Sequence, residues 1–494
     1  NKPRVRREWR TLSDEMRARV ANAYWTIRNL TTAEGQKLYG EHFHNHDEFI
    51  MLHACAVMSP RCDQGHFGPQ FMTFHRALLL KYELALLAVD PKIEAMPYWH
   101  IAFDSVDGKY RNDPDNYIFT DKFFGSLYGD ESQGYAVTDG LFAYWPISEY
   151  SSKSYGKKST LAKDNVCIRE EWFRPSKCSD NKGAKTYIRN HEDCTPYLAR
   201  DPADPAGPNV YQLGGTYEMV YTVSDFESCS NPKNIGSWMA WQNCIELGTV
   251  QCIPRANALM TLTGEEVESL KDSVSGLKSS GKDAALASMN ALASAMQGGE
   301  PSAEGFPAVN CSDPMLVGYY TSKNKRTTVN FFHSQAHVKL GKDLLDVTTS
   351  PNDAAGFTGY HADIDRSNMI WMAAIAEDLE ERYWLYPSAQ GDLVSYGGKP
   401  PYGSSGPFST YDIASCTNNS AFYEYTPLES PWLPGTMLND VVNYGFPFFN
   451  LFECSEDESC DGGEDGYTHQ DMLYWTAPSR TPYTYDTLEH LYYD

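Results

Sequence analysis

The sequence predicts a mainly α protein: a few core helices, long irregular loops tied by disulfides, and a small amount of β structure. Three observations carry this. Apolar residues recur at helical spacing in a few short, strong stretches. Between them Gly, Pro, Ser, Asp and Tyr dominate without any sustained period. Of the 12 cysteines, seven fall between positions 167 and 311, in irregular sequence that cross-links would hold.

Residues 8–30 read as the first helix, with Ser13 as its cap and Met16, Val20, Ala23, Tyr24 and Ile27 on one face. Residues 46–58 form a second, short helix, stopped by Ser59-Pro60. The strongest signal is 69–89: Pro69 suits a first turn, Phe71, Phe74, His75, Leu78, Leu79, Tyr82 and Leu86 share a face, and Asp90-Pro91 ends it. Residues 104–250 read as long loops, and 262–297, rich in Ala, Ser, Lys and Glu, as two short surface helices. Helical character returns at 329–343 and 361–381. Beyond 386 Gly, Pro, Ser and Tyr prevail, with an acidic loop expected to be clipped by Cys454 and Cys460. There is no internal repeat. The simplest organisation is a core over 1–385, interrupted by a long insertion at 104–328, and an irregular Tyr-rich extension over 386–494 packed on it.

Composition narrows the function. A net charge of −24 argues against nucleic acid or an anionic membrane as partner. The basic run Lys2, Arg4, Arg6, Arg7 and Arg10 is a local exception, read as a solvated face or a dibasic processing site. No stretch approaches the roughly 20 apolar residues of a spanning helix. An even number of cysteines without any CxxC pair, together with Asn-X-Ser/Thr sites at Asn29, Asn310 and Asn418, predicts a secreted, disulfide-bonded glycoprotein. The chain starts at Asn and carries no apolar signal segment, so any signal peptide there was is expected to have gone.

Histidine is the informative residue type. Only 13 occur, and six fall into two sets at readable spacing: His53, His66 and His75, then His333, His337 and His361. His333 and His337 lie one turn apart on one helix face, where both could grip a single metal ion. Zincin proteases use that spacing with a glutamate base, and here Ser334 stands at the base position. Imidazole nitrogen suits copper, and two three-histidine sets can hold two copper ions face to face. Asp365, one turn after His361, is expected to accept that ring's free N–H.

The segments DEFIMLHACAV, GHFGPQFMTFHRALLLKYELALL and MPYW together resemble the first copper motif of the tyrosinase family, the type 3 copper proteins. FFHSQAHVKLG, SPND and FTGYHADIDR resemble the second. The likeness covers roughly 1–100 and 325–385 well. It implies a central four-helix bundle holding a dicopper site, with copper A on His53, His66 and His75 and copper B on His333, His337 and His361. It also implies dioxygen and a small phenol or catechol, free or as peptidyl-DOPA, as reactants. Phe357, Thr348, Ser334 and Val338 would shape the pocket mouth by their offsets from the ligand positions. The oligomeric state is left open.

Several positions depart from the family pattern. Tyr360 replaces the first of two adjacent histidines, and PYWD becomes PYWH at His100, which removes a carboxylate. Monophenol-hydroxylating members often carry Asn after the first copper B histidine and a Glu eight or nine residues before it. Here Ser334 and Asn324 or Lys325 stand there, and 314–342 holds no Asp or Glu. Without a positioned base phenol deprotonation loses assistance of about 10²–10⁴-fold, so catechol oxidation is favoured over monophenol hydroxylation. The same losses motivate an alternative, a non-catalytic type 3 copper protein that binds oxygen or serves as matrix. Cys55 and Cys62 could form a disulfide or supply a thioether to His66, and the choice stays open. His42, His44 and His46 read as a polar turn. The tail tyrosines, Tyr467 to Tyr493, could pack on the core, cover the copper pocket or be self-oxidised.

Overall fold

In the computed structural model the described residues are 2–57, 65–66, 70–104, 108–150, 186–187, 195–201, 223–232, 238–242, 244–245, 333, 336–337, 340–345, 349–376, 467–477 and 480–491. Among them the expectation of a mainly helical protein with little sheet holds. The surface helices expected at 262–297, the Cys454–Cys460 clip, and the alternatives for Cys55 and Cys62 lie outside the described residues.

Helix α1 (Asp14–Asn29) starts where Ser13 accepts a hydrogen bond from the Met16 N–H, satisfying one of the open donors of the first turn. A short α2 (Thr32–Tyr39) follows, closed at its start by a reciprocal Thr31–Glu34 capping box. Helices α3 (His46–Val57) and α4 (Gln70–Val89) fall close to the stretches expected from periodicity. Their contacting faces are apolar: Phe49 meets Tyr82 at 4.4 Å between ring centroids, and α1 packs against α4 with Tyr24 on the same Tyr82 ring at 5.5 Å.

Strand β1 (Arg4–Arg6) opens the chain. Strands β2 (Glu149–Tyr150) and β3 (Thr186–Tyr187) form a small antiparallel pair. Helices α5 (Val223–Ser228) and α6 (Trp238–Gln242) flank the Cys229–Cys244 disulfide. Cys229–Cys244 is the expected loop cross-link seen among the described residues, and α5 and α6 are short helices in a stretch expected to be loop. Next come α7 (Lys342–Leu345) and α8 (Ala354–Ile375), then α9 (His469–Tyr474) and strand β4 (Tyr483–Tyr485).

Helix α8 begins a full two turns before the expected start at 361. Asp353 accepts from the Gly356 N–H and is itself held by both ends of the Arg200 guanidinium at 2.7 and 2.9 Å. The glycines at 356 and 359 weaken the periodic signal, but Gly359 is where Trp99 lies against the helix: an added Cβ would sit 3.1 Å from Trp99 Cβ. The Trp99 N–H donates to the Gly359 carbonyl at 2.9 Å.

The two ends of the chain meet in a parallel pair, β1 with β4, with Arg6 opposite Tyr485. This corrects the reading of the basic run as a solvated face. Alternation along β1 turns Arg4 and Arg6 inward: Arg6 is fully buried between Glu83 (2.7 Å) and Asp365 (3.3 Å), its guanidinium 3.5 Å from the Tyr483 ring centroid. Arg4 pairs with the same Glu83 at 2.8 Å. Arg7, pointing the other way, is the exposed member, beside Glu489. The tail tyrosines 483 and 485 pack on the core, each phenol donating to Asp365 at 2.7 Å. Tyr492 and Tyr493 lie outside the described residues.

The HFHNHD segment also differs from a polar turn. His44 meets Glu48 at 2.8 Å near the surface, whereas His46 is buried with its Nδ1 hydrogen-bonded to the Tyr82 phenol at 2.7 Å. It is the first residue of α3, and its neighbours are aromatic.

Candidate metal centre

Four helical segments and one bend deliver six imidazoles to one place. His53 projects from α3 and His75 from the middle of α4, with His66 on the bend between them. His333, Ala336, His337 and Leu340 are helical, and His361 lies in the second turn of α8. All six rings are buried. Within each set of three, one nitrogen per ring lies within 4.8 Å of the others, so each set could hold a metal ion.

The sets face each other. His75 of the first lies parallel to His361 of the second, with centroids 4.5 Å apart and planes 9° from parallel. His66 and His333 form a second cross-contact at 5.4 Å. The aromatic surroundings repeat on the two sides. Phe71, four residues before His75, touches that ring at 5.0 Å and His333 of the opposite set at 5.1 Å. Phe357, four residues before His361, touches that ring at 4.1 Å and His53 of the opposite set at 5.1 Å.

Hydrogen bonding assigns the tautomers. Nδ1 of His75 bonds the Phe71 carbonyl at 2.7 Å, Nδ1 of His361 the Phe357 carbonyl at 2.8 Å, and Nδ1 of His337 the Leu344 carbonyl at 2.6 Å. A carbonyl can only accept, so each Nδ1 carries the proton and each Nε2 presents a bare lone pair. In the second set Nε2 of His333 lies 3.1 Å from Nε2 of both His361 and His337. One proton on His333 could satisfy one of those contacts at most, whereas a cation among the three nitrogens satisfies all. In the first set Nε2 of His75 is buried and has no hydrogen-bond partner. A cationic, imidazole-preferring ion such as copper fits both sets.

Burial, then the neighbouring imidazoles, holds His75 and His333 well below the ordinary histidine value; His361 is held down by burial and then by His337. Burial pushes His337 down to about 4. These four rings are therefore neutral lone-pair donors at neutral pH, the form that ligates metal.

Asp365 does not do what its spacing suggests. Side chains on a helix lean toward its N-terminus, so His361 reaches back to the carbonyl at 357, and Asp365, one turn further on, is left facing away. It accepts instead from Arg76 (2.7 Å), Arg6, Tyr483 and Tyr485. Phe357 is present at the centre as a buried contact of three histidines. Ser334, Val338 and Thr348 lie outside the described residues. Tyr360 is buried with its ring 14° from parallel to His333 at 6.2 Å. His100 stands apart from both sets, between Asp363 (3.0 Å) and Glu227 (3.4 Å). The spacing argument missed Phe71 as the partner of Phe357, although the same F-x-x-x-H pattern occurs in both motifs.

Comparison with known proteins agrees with the geometry. The family described as the common central domain of tyrosinase matches residues 44–243 and 254–374. A tyrosinase-like protein of Caenorhabditis elegans is 30% identical over 145 residues, 29% of this chain and 17% of that protein. Tyrosinase-like protein 2 of Margaritifera margaritifera is 29% identical over 178 residues, 35% of this chain and 34% of that protein. The tyrosinase of Streptomyces antibioticus is 31% identical over 110 residues, 21% of this chain and 37% of that protein. The aligned parts span less than half of each of these relatives. Among solved structures, a polyphenol oxidase from Thermothelomyces thermophila superposes over 97% of this chain and 87% of its own at 16% identity, with a TM-score of 0.40, too loosely to add to the assignment. With its central domain matched over well over half its length, the chain belongs to the tyrosinase family.

Proposed function

We propose that this chain is a secreted type 3 copper oxidase that converts o-diphenols, free catechols or peptidyl-DOPA, to o-quinones with dioxygen. The observation that carries this is the face-to-face pair of buried three-histidine sets. His53, His66 and His75 would hold one copper, and His333, His337 and His361 the other. When bound, two adjacent coppers supply the two electrons that dioxygen reduction and catechol oxidation exchange.

The chain's own residues supply the rest. The carbonyls of Phe71, Phe357 and Leu344 hold three of the rings in their ligating tautomer. The Phe71 and Phe357 rings each contact both sets and supply apolar surface that would keep water from them. The absence of Asp and Glu from 314–342 removes an obvious base for a monophenol, while a catechol needs less help. Secretion is supported by the Cys229–Cys244 disulfide and by Asn29, an exposed glycosylation-type site at the end of α1. We further read 1–385 as one dicopper core and 386–494 as an extension packed on it, and the β1–β4 pairing supports that packing.

The test is copper content with turnover. Copper-loaded protein mixed with 4-methylcatechol under air should consume oxygen and form quinone, with L-tyrosine oxidised far more slowly. Two coppers per chain without turnover on any catechol would favour the oxygen-binding alternative, and no stoichiometric copper would remove the oxidase and leave the structural matrix reading.

A further inference from the structure

A second polar pair lies two helical turns from the metal centre, and nothing in the copper chemistry uses it. His46 stands seven residues before His53 on α3, and Tyr82 stands seven residues after His75 on α4. Each separation is about 10 Å along a helix. The two residues meet across the helix pair, as His53 and His75 do above them. The Tyr82 phenol oxygen and Nδ1 of His46 are 2.7 Å apart and both side chains are buried; a protonated phenol needs an acceptor, and Nδ1 is the one at hand, so the phenol is read as the donor. Around them the contacts are aromatic: Phe49 at 4.4 Å and Tyr24 at 5.5 Å from the Tyr82 ring, and Trp145 at 5.4 Å from His46. Trp145 in turn touches Trp25 at 4.9 Å, and Trp25 is only half-buried.

We propose that Tyr82 and His46 form a one-electron redox pair, an outlet for oxidising equivalents generated at the metal centre. In the step, Tyr82 gives an electron to an oxidised binuclear copper centre. Its O–H bond breaks, the proton passes along the existing hydrogen bond to Nδ1 of His46, and a neutral phenoxyl radical faces an imidazolium. Re-reduction by one electron from a diffusible catechol or thiol, passed through Trp25 and Trp145, lets the imidazolium return its proton to the phenol. The outlet role rests on the copper reading of the centre; the redox pair itself does not.

The starting protonation is the required one. Burial, and then neighbouring Tyr24, raises the Tyr82 phenol well above its ordinary value, and burial, then Arg28, keeps His46 well below its own, with the Pro351 carbonyl acting the other way. A phenol that has lost an electron is a strong acid, so even a weakened imidazole takes its proton. The same burial that disfavours the imidazolium returns the proton once the radical is reduced. Tyr24 is the internal contrast. It lies beside Tyr82 but donates to the Thr358 hydroxyl at 2.6 Å, which is no proton acceptor of comparable strength.

The experiment photo-oxidises the full chain as purified, using ruthenium tris-bipyridine with persulfate, and follows the radical by freeze-quench electron paramagnetic resonance. Metal content is measured on the same samples. The expected result is a long-lived neutral tyrosyl radical with one exchangeable deuteron hydrogen-bonded to its oxygen in D2O. That signal should persist in Tyr24→Phe and be lost in Tyr82→Phe, and it should decay at least several-fold faster in His46→Phe. A radical that persists in Tyr82→Phe, ignores His46, or lacks the bonded deuteron in the unmodified chain overturns the proposal. A radical with these properties in protein that binds no copper keeps the pair and removes the outlet role together with the copper reading.

Discussion

The imidazoles of His75 and His361 lie parallel, 4.5 Å apart, each anchored through Nδ1 to the carbonyl four residues before it. They belong to different histidine sets, so α4 and α8 present their metal-facing groups by the same local device. Replacing either ring should empty its own set first. His75→Ala and His361→Ala are each expected to lower bound copper to about half or less and to abolish catechol turnover, since coupled chemistry needs both ions. Copper per chain by atomic spectroscopy, read beside oxygen uptake, checks this; full copper content in either variant would remove that histidine from the site.

Phe357 should control what reaches the centre. Its ring touches His53, His75 and His361 and is almost fully buried. Phe357→Ala is expected to cost about 3–5 kcal/mol of stability through the cavity it leaves. Phe357→Leu should cost less and raise kcat/KM for a bulky catechol relative to a small one. A ratio unchanged from the parent would place substrate elsewhere.

Asp365 binds the chain ends to the metal-bearing helices. Its carboxylate, fully buried, accepts from Arg6, Arg76, Tyr483 and Tyr485. Burial alone would raise its pKa, but Arg76 and Arg6, with the two phenols, outweigh burial and hold it below 3.8. Glu83 is likewise held below 4.5: burial works against the shift, and Arg6 and Arg4 overcome it. Depressed carboxylates contribute stability that is complete above their unfolded values and is lost as pH falls through the folded ones. The protein should therefore lose stability below about pH 4. Asp365→Asn should lose about 3–5 kcal/mol at neutral pH, because it takes the carboxylate from buried Arg76 and leaves Arg6 to Glu83, which Arg4 already shares. Denaturant melts across pH would show both effects, and an Asp365→Asn variant as stable as the parent would refute the network's role.

The ligand sets could be read from spacing because metal ligation demands several imidazoles at fixed offsets, a pattern that chance placement of 13 histidines rarely produces. The helix extents at 46–57 and 70–89 followed from periodicity for the same local reason. What spacing cannot report is the direction in which a side chain leans, which is why Asp365 was paired with the wrong residue. Nor can it report contacts between distant segments. Arg6 and Tyr485 are 479 positions apart, and nothing local distinguishes a buried strand arginine from a solvated one. His46 was equally opaque: three alternating histidines look polar, yet the helix start turns one of them into the core.

His100 gives a prediction of the opposite sign. It is buried between Asp363 at 3.0 Å and Glu227 at 3.4 Å, with Arg366 close by. Burial lowers its pKa and Arg366 lowers it further, but Asp363 and Glu227 prevail and the net shift is upward from 6.5. A raised histidine contributes stability that is complete below its unfolded value and is lost as pH rises through its folded one. The parent protein should therefore soften on the alkaline side of 6.5 as the ring gives up its proton and the Asp363 and Glu227 contacts weaken. His100→Gln removes the titrating group, so its melting temperature should be lower than the parent's at acidic pH and approach it as pH rises. Equal slopes for parent and variant through that range would show that His100 does not titrate in the fold, and that Asp363 is balanced by Arg366 alone.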